Sequence, residues 1–355
     1  MMSTVVLQAP SRTAIDSPMR RELIWVLGIC AVLAMFPAIA NPYWVRVSVF
    51  VFVNIGLASS WNIIGGVAGY PSFGQGVFFG MGAYTTAILM VRFGFPAWMA
   101  ISLSGVSAAL FSLLFLPLLR QRGFYFALST FAAALGIESI VRTWYWVRGL
   151  TSNEQGWNLP DLYSLNTHYY IALVLLAACL VSVVFLLRSR VGIALRAIHK
   201  DEIVAASSGI NCSFYKMVAF VFSAFWPGLF GGVYALFLVF ISAETVFDLG
   251  ITLNMIVYTV FGGMGTFLGP VVGGLVLSLI DQFAWTHFLD WHSLVYGVVV
   301  VLIVTYSPGG VLSCFDRFKR RTAQTCRNRM PRRKCNRRAS SSGACPPIPY
   351  KNEHP

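Results

Sequence analysis

The chain is 355 residues long, with 57% hydrophobic residues and 11% charged ones. Soluble domains carry about 25% charged residues, so this chain has too little polar surface to cover itself in water, and lipid is its natural solvent. The net charge of +13 does not mark a nucleic-acid binder, because residues 316–355 hold twelve Lys or Arg against two acids and account for +10 of it.

Apolar stretches long enough to span a bilayer follow one another along the chain. They are Leu23–Ala40, Val45–Ile64, Gly76–Val91, Ala97–Leu119, Phe124–Val147, Tyr169–Leu187, Met217–Ile241, Leu249–Phe261, Leu268–His287 and Ser293–Tyr306. The first follows Arg12, Arg20 and Arg21, is long, and has no clean A-x-A end, which predicts an uncleaved transmembrane helix. The third and eighth are short and Gly-flanked, which predicts broken or re-entrant helices. The fold class expected is all-α: a polytopic transmembrane bundle of about ten spans (eight to ten), some short or broken. It has an N-terminal segment 1–22, a membrane body 23–312, and a basic tail 313–355 whose Arg, Cys, Ser and Pro cannot form a core.

Ten spans put both termini on one side. That side then holds 22 of the 26 basic residues, whereas Arg46, Arg92, Arg142 and Arg148 fall on the other. The positive-inside rule makes the terminal side cytoplasmic.

Between the sixth and seventh spans lies a cytoplasmic loop, Arg188–Lys216. Apolar residues alternate with Arg196 over Gly192–Ile198, which suits an interfacial turn. Asp201 fits a helix N-cap, Glu202–Ser208 a short Ala-rich helix, and Gly209 its left-handed stop. This is either an ordinary solvated loop or a docking helix that takes force from a cytoplasmic partner.

Glycines four apart put two missing side chains on one helix face, as at Gly65/Gly69, Gly76/Gly80, Gly228/Gly232, Gly265/Gly269 and Gly269/Gly273. The reading is tight packing, with irregular Gly-rich backbone lining a pathway as the functional addition. The pathway or packing candidates are Gly65, Ser72, Gln75, Gly76, Gly80, Tyr84, Gly262, Gly263 and Gly265. Glu138 and Arg142 are one turn apart and predict a shielded intramembrane ion pair; Asp281 and His287 are similar cases.

Cys30 and Cys179 read as small buried hydrophobes. The tail cysteines Cys314, Cys326, Cys335 and Cys345 form no CxxC pair, so no metal or cofactor is expected. Five scattered histidines supply no catalytic cluster, which argues against a membrane enzyme, and no chain of midplane acids suggests a proton-coupled carrier.

Several motifs occur in order. They are Trp61–Met90 (WNIIGGVAGYPSFGQGVFFGMGAYTTAILM), Arg122–Arg142 (RGFYFALSTFAAALGIESIVR), Phe261–Gly274 (FGGMGTFLGPVVGG) and Ser307–Leu312 (SPGGVL). They resemble the LivM-type permeases of ABC importers for branched-chain amino acids, over roughly Leu23 to Leu312. The loop residues Glu202, Ala205, Ala206 and Gly209 are similar to the coupling motif of such permeases, with spacing off by a residue or two. Ala194 and Arg196 belong to the same loop. The resemblance implies a bacterial inner-membrane subunit with cytoplasmic termini that pairs with a second permease as a heterodimer. It further implies two cytoplasmic ATPases, a periplasmic binding protein and membrane lipid as partners. No nucleic acid, cofactor or covalent chemistry is implied. The sequence contains no GxxxxGK[ST] phosphate loop, so ATP would be hydrolysed elsewhere. The tail departs from the family, and no function is assigned to it. Urea and short amides are alternative substrates. A self-sufficient secondary transporter or channel is the alternative class, distinguished by uptake through this chain alone.

Overall fold

Eight helices of the computed structural model, which describes residues 24, 26–121, 123–143, 156–160, 163–287 and 297, are long and apolar enough to cross a membrane. A shorter apolar helix, α1 (Val26–Ala38), precedes them. α2 (Pro42–Asn62) opens on a proline, whose missing N–H is harmless in a first turn, and runs on into a π-helical stretch, Ile63–Val67. α3 (Gln75–Phe93) stops at left-handed Gly94. α4 (Ala97–Ser112) tightens into a 3-10 helix over Leu113–Arg120, around Pro117, and α5 (Phe124–Thr143) follows.

The second half comprises α6 (Leu165–Arg188), α7 (Arg190–Lys200), α8 (Glu202–Ser207) and α9 (Cys212–Leu238). It continues with α10 (Ala243–Val246), α11 (Leu249–Gly262) and α12 (Leu268–His287). A helix therefore occupies each of the first nine expected spans. The tenth, Ser293–Tyr306, lies outside the described residues but for residue 297, as do segment 1–22, the tail 313–355 and the His287 side chain.

The expected breaks lie beside the third and eighth spans and not within them. α3 is a continuous helix of 19 residues, and the irregular backbone precedes it, in residues 63–74. The eighth expected span, Leu249–Phe261, is likewise unbroken within α11, and the interruption lies just before it, at residues 247–248. α10 ends at Val246, and Asp248 caps α11 by accepting from the Gly250 N–H at 3.0 Å.

α2 and α9 form the centre. α2 packs on α6, α9, α11 and α12, and α9 packs on α3 and α4. Small residues make the second set of contacts possible. A Cβ on Gly82 of α3 would lie 2.0 Å from the Gly228 carbonyl oxygen of α9, and one on Gly231 would lie 2.1 Å from that of Phe79. In lipid, where apolar surface gains little by leaving its solvent, such close approach is what holds helices together. α5 is the opposite case: 17% of its apolar window is buried, against 83% for α2.

The bundle's two ends are distinct. At one end, α7 and α8 form a hairpin beside residues 63–74 and 263–266. At the other, β1 (Trp157–Asn158) pairs antiparallel with β2 (Phe240–Ile241), Trp157 opposite Ile241. The Leu159 N–H extends the pairing by donating to the Val239 carbonyl at 2.6 Å.

Candidate functional site

The α7–α8 hairpin is built from strong local signals. The Ser189 hydroxyl accepts from the Gly192 N–H at 3.5 Å and starts α7 immediately after α6 ends. Gly192 permits this reversal, since a Cβ there would meet the Leu186 and Leu187 carbonyl oxygens at 2.5 and 2.6 Å. The interfacial turn expected over Gly192–Ile198 is instead part of an eleven-residue helix. Val191, Leu195 and Ile198 stand at helical spacing, with Leu195 and Ile198 buried. Ala194 is buried as well. Arg196 folds back to donate to the carbonyls of Gly192 and Leu187, covering the open C-terminal end of α6.

α8 follows the expected pattern. The Asp201 carboxylate accepts from the N–H groups of Ile203 (2.8 Å) and Val204 (3.2 Å), and Gly209 ends the turn at φ +84°, a conformation that suits glycine. The two alanines face opposite ways: Ala205 is buried and Ala206 exposed. The outer surface of α8 is more apolar than those alanines suggested, for Ile203 is 69% and Val204 59% exposed.

Glu202 does not face outward. Its carboxylate accepts from Lys216 Nζ and from the Tyr70 hydroxyl, both at 2.5 Å. The Lys216 ammonium lies 4.2 Å from the centre of the Tyr70 ring, a cation–π contact. Lys216 is 4% exposed, so the charge depends on these partners. The cluster joins three parts of the chain: the first turn of α8, the start of α9, and the irregular segment leading to α3. The His199 ring adds to it, packing where a Cβ of Gly69 would be, 2.2 Å from its Nδ1.

A second clasp stands beside the first. Asn62, at the end of α2, donates to the Thr266 carbonyl at 2.8 Å and accepts from the Gly265 N–H at 2.9 Å. It joins the two Gly-rich stretches, and Gly66 packs against the Gly265 nitrogen.

The remaining sequence candidates are spread through the bundle. Gly65 lies in the π-helical stretch against Trp61, and Gly69 has φ +77°, so these two do not share a helical face. Gly265, at φ +75°, also stands off a helix, which removes the Gly265/Gly269 pair. Gly263 caps α11, and Gly262 abuts the Gly269 carbonyl. Gly76 and Gly80 do share a face, against Thr252 and Phe247. Gly228 and Gly232 share one against α4, where Ala108 and Ser104 lie. Ser72 and Gln75 are fully buried, with Gln75 donating to the Ser223 hydroxyl at 2.8 Å. Tyr84 packs on Phe247, ring centres 5.6 Å apart.

Glu138 and Arg142 form the expected ion pair at 3.5 Å, but Arg142 is 46% exposed, so the pair is less shielded than its sequence position implied. Arg142 makes its shorter contact, 2.7 Å, with Glu244 on α10, binding α5 to the β-paired end. The cross-chain partners Tyr70, Lys216, Asn62 and Glu244 carry no sequence signal of their own. The outward Ile203 and Val204 were legible from the three- and four-residue spacing once Ala205 was placed inward.

An apolar, glycine-packed bundle with an amphipathic helical hairpin at one end defines an integral membrane protein of the polytopic helical class. Residues 43–304 match the family described as the branched-chain amino acid transport system / permease component, and the chain belongs to that family. It is similar to the LivM permease of the high-affinity branched-chain amino acid transport system. The identity is 27% for the Salmonella typhimurium protein and 26% for that of Escherichia coli K12, in each case over 84% of this chain and 77% of the relative. The LivH permease of Escherichia coli K12 is 21% identical over 72% of this chain and 90% of the relative. No solved structure matches the chain.

Proposed function

We propose that this chain is the LivM-like membrane subunit of an ATP-driven importer that moves branched-chain amino acids across a bacterial inner membrane, with the α7–α8 hairpin as its contact for a cytoplasmic ATPase. The observation that carries the contact is the form of α8. It presents Ile203 and Val204 outward while its base is tied by Glu202 to Lys216 and Tyr70. An exposed apolar pair on a six-residue helix suits a groove on a partner. The ion cluster beneath it suits the transfer of a push into α9 and residues 63–74, because a buried charge pair resists separation.

On this reading the N-terminal segment 1–22 and the tail 313–355 are cytoplasmic, and residues 23–312 form the permease body. A second permease, LivH-like, completes the membrane pair. A periplasmic binding protein delivers substrate to the opposite end, where β1, β2 and the Arg142–Glu244 contact join the loops. The subunit itself makes and breaks no covalent bonds. The Ala194 and Arg196 side chains hold the hairpin in place, and Ala206, Ile203 and Val204 meet the partner.

Reconstitution tests this reading. Proteoliposomes holding this chain with its partner permease, ATPases and binding protein accumulate leucine only when ATP is supplied. Proteoliposomes holding this chain alone accumulate none under any ion gradient. Gradient-driven uptake by the lone chain contradicts the proposal.

A further inference from the structure

A cavity of about 500 Å³ opens between α2, α9, α11 and α12, within the roughly 300–1,000 Å³ range of small-molecule sites. Its lining mixes two chemistries. Val47, Val51, Leu238 and Ile251 supply an aliphatic wall, while Asn54, Asn254, Ser278, Asp281 and Gln282 bring polar groups from three different spans. Polar and ionisable side chains inside a membrane are costly and mark paths or sites more often than packing. The Ser278 hydroxyl is 4% exposed and has no hydrogen-bond partner among the described residues. Buried hydroxyls are normally satisfied, so this atom is one that a bound molecule or water completes.

The cavity stops short of the α8 end. One turn beyond Asn54 and Asn254, and one residue before Ser278, the side chains of Ala58, Tyr258, Phe261 and Leu277 close into a separate apolar cluster. The Thr259 hydroxyl donates to the Ala58 carbonyl at 3.0 Å and ties α11 to α2 there. This cluster lies one turn nearer the α8 end than the polar lining of the cavity.

We infer that this chamber is a transit site for the transported amino acid, with the Asp281 carboxylate facing its ammonium group, the amides of Asn54 and Asn254 and the Ser278 hydroxyl facing its carboxylate, and the aliphatic wall taking its side chain. The inference rests on the proposed import function. It adds a binding site inside this subunit and assigns the Ala58–Tyr258–Phe261–Leu277 cluster the part of a gate that opens for passage toward the α8 end. A zwitterion with an apolar side chain matches the lining in charge and polarity, since Phe50, Phe79, Tyr234 and Trp285 extend the apolar wall. A fixed anion such as a dicarboxylate does not, because Asp281 would repel it.

The test uses the complete reconstituted transporter, with leucine as the probe. Asp281→Asn keeps the side chain's size and removes its charge, and lowers ATP-driven leucine uptake at least tenfold. Asp281→Glu restores most of it. Co-purification of the ATPases with each variant checks assembly. A second measurement stands apart from turnover. In a chain whose native cysteines are replaced, Ser278→Cys reacts with a small water-soluble thiol reagent, and leucine slows that reaction severalfold. Leu110→Cys, on the exposed apolar face of α4, does not react. Wild-type uptake by Asp281→Asn, or labelling of Ser278→Cys unchanged by leucine, overturns the transit site while leaving the import function standing. A wild-type complex that moves no leucine with ATP overturns both.

Discussion

The two ends of the bundle use charge in opposite ways. At the α8 end, Lys216 is 4% exposed and Glu202 17%, and both are held by Tyr70. At the β-paired end, Arg142 is 46% exposed and reaches between Glu138 and a Glu244 that is 73% exposed. A buried pair loses water on both sides and therefore depends on its partner. An exposed pair can exchange its partner for water at little cost. The first kind of contact joins elements into a unit that moves together. The second lets them part and meet again, which suits a surface where a soluble protein docks and leaves.

This contrast is open to direct challenge. The largest effect is expected from Lys216→Ala, which strands Glu202 and destabilises the folded subunit by about 3–5 kcal/mol, read from the thermal unfolding of the purified complex. Replacing both groups, as Glu202→Gln with Lys216→Met, recovers much of that loss, since two uncharged side chains of similar volume leave no buried charge without its partner. An unchanged melting temperature for Lys216→Ala removes the claim of a rigid joint. An intermediate effect belongs to the packed middle. Gly82→Ala forces a methyl to within 2.0 Å of the Gly228 carbonyl oxygen and costs about 1–3 kcal/mol, whereas Gly28→Ala, with nothing within 4 Å, is neutral in the same assay. The smallest is Arg142→Ala, expected to change stability by no more than about 1 kcal/mol, and by less in high salt. A drop as large as that of Lys216→Ala would show the two ends to be alike.

The spans were legible because a 20-residue apolar run has few other uses, and nine of ten expected runs meet a helix among the described residues. The caps of α8 were also legible, since Asp201 and Gly209 act through their own neighbours in sequence. What sequence could not supply was whatever depends on distant partners. Glu202 reads as an exposed first-turn acid until Lys216 and Tyr70 are brought to it across 14 and 132 residues. Asn54, Asn254 and Ser278 are isolated polar residues in three apolar runs, unremarked until the helices converge around one cavity. The glycine pairs divide by the same logic. Gly228 and Gly232 work as a pair because α9 is regular there, and Gly65 and Gly69 do not because the backbone turns between them.

The central claim is that a neighbouring ATPase moves this bundle by pushing on the outer face of α8. The most direct measurement is ATP-driven leucine uptake by the reconstituted complex carrying Val204→Asp, alongside its ATP hydrolysis. Placing a charge on that apolar contact is expected to abolish uptake and to release the ATPases from the membrane complex, while the subunit stays inserted and folded. Uptake at the wild-type rate with the ATPases still bound would contradict it.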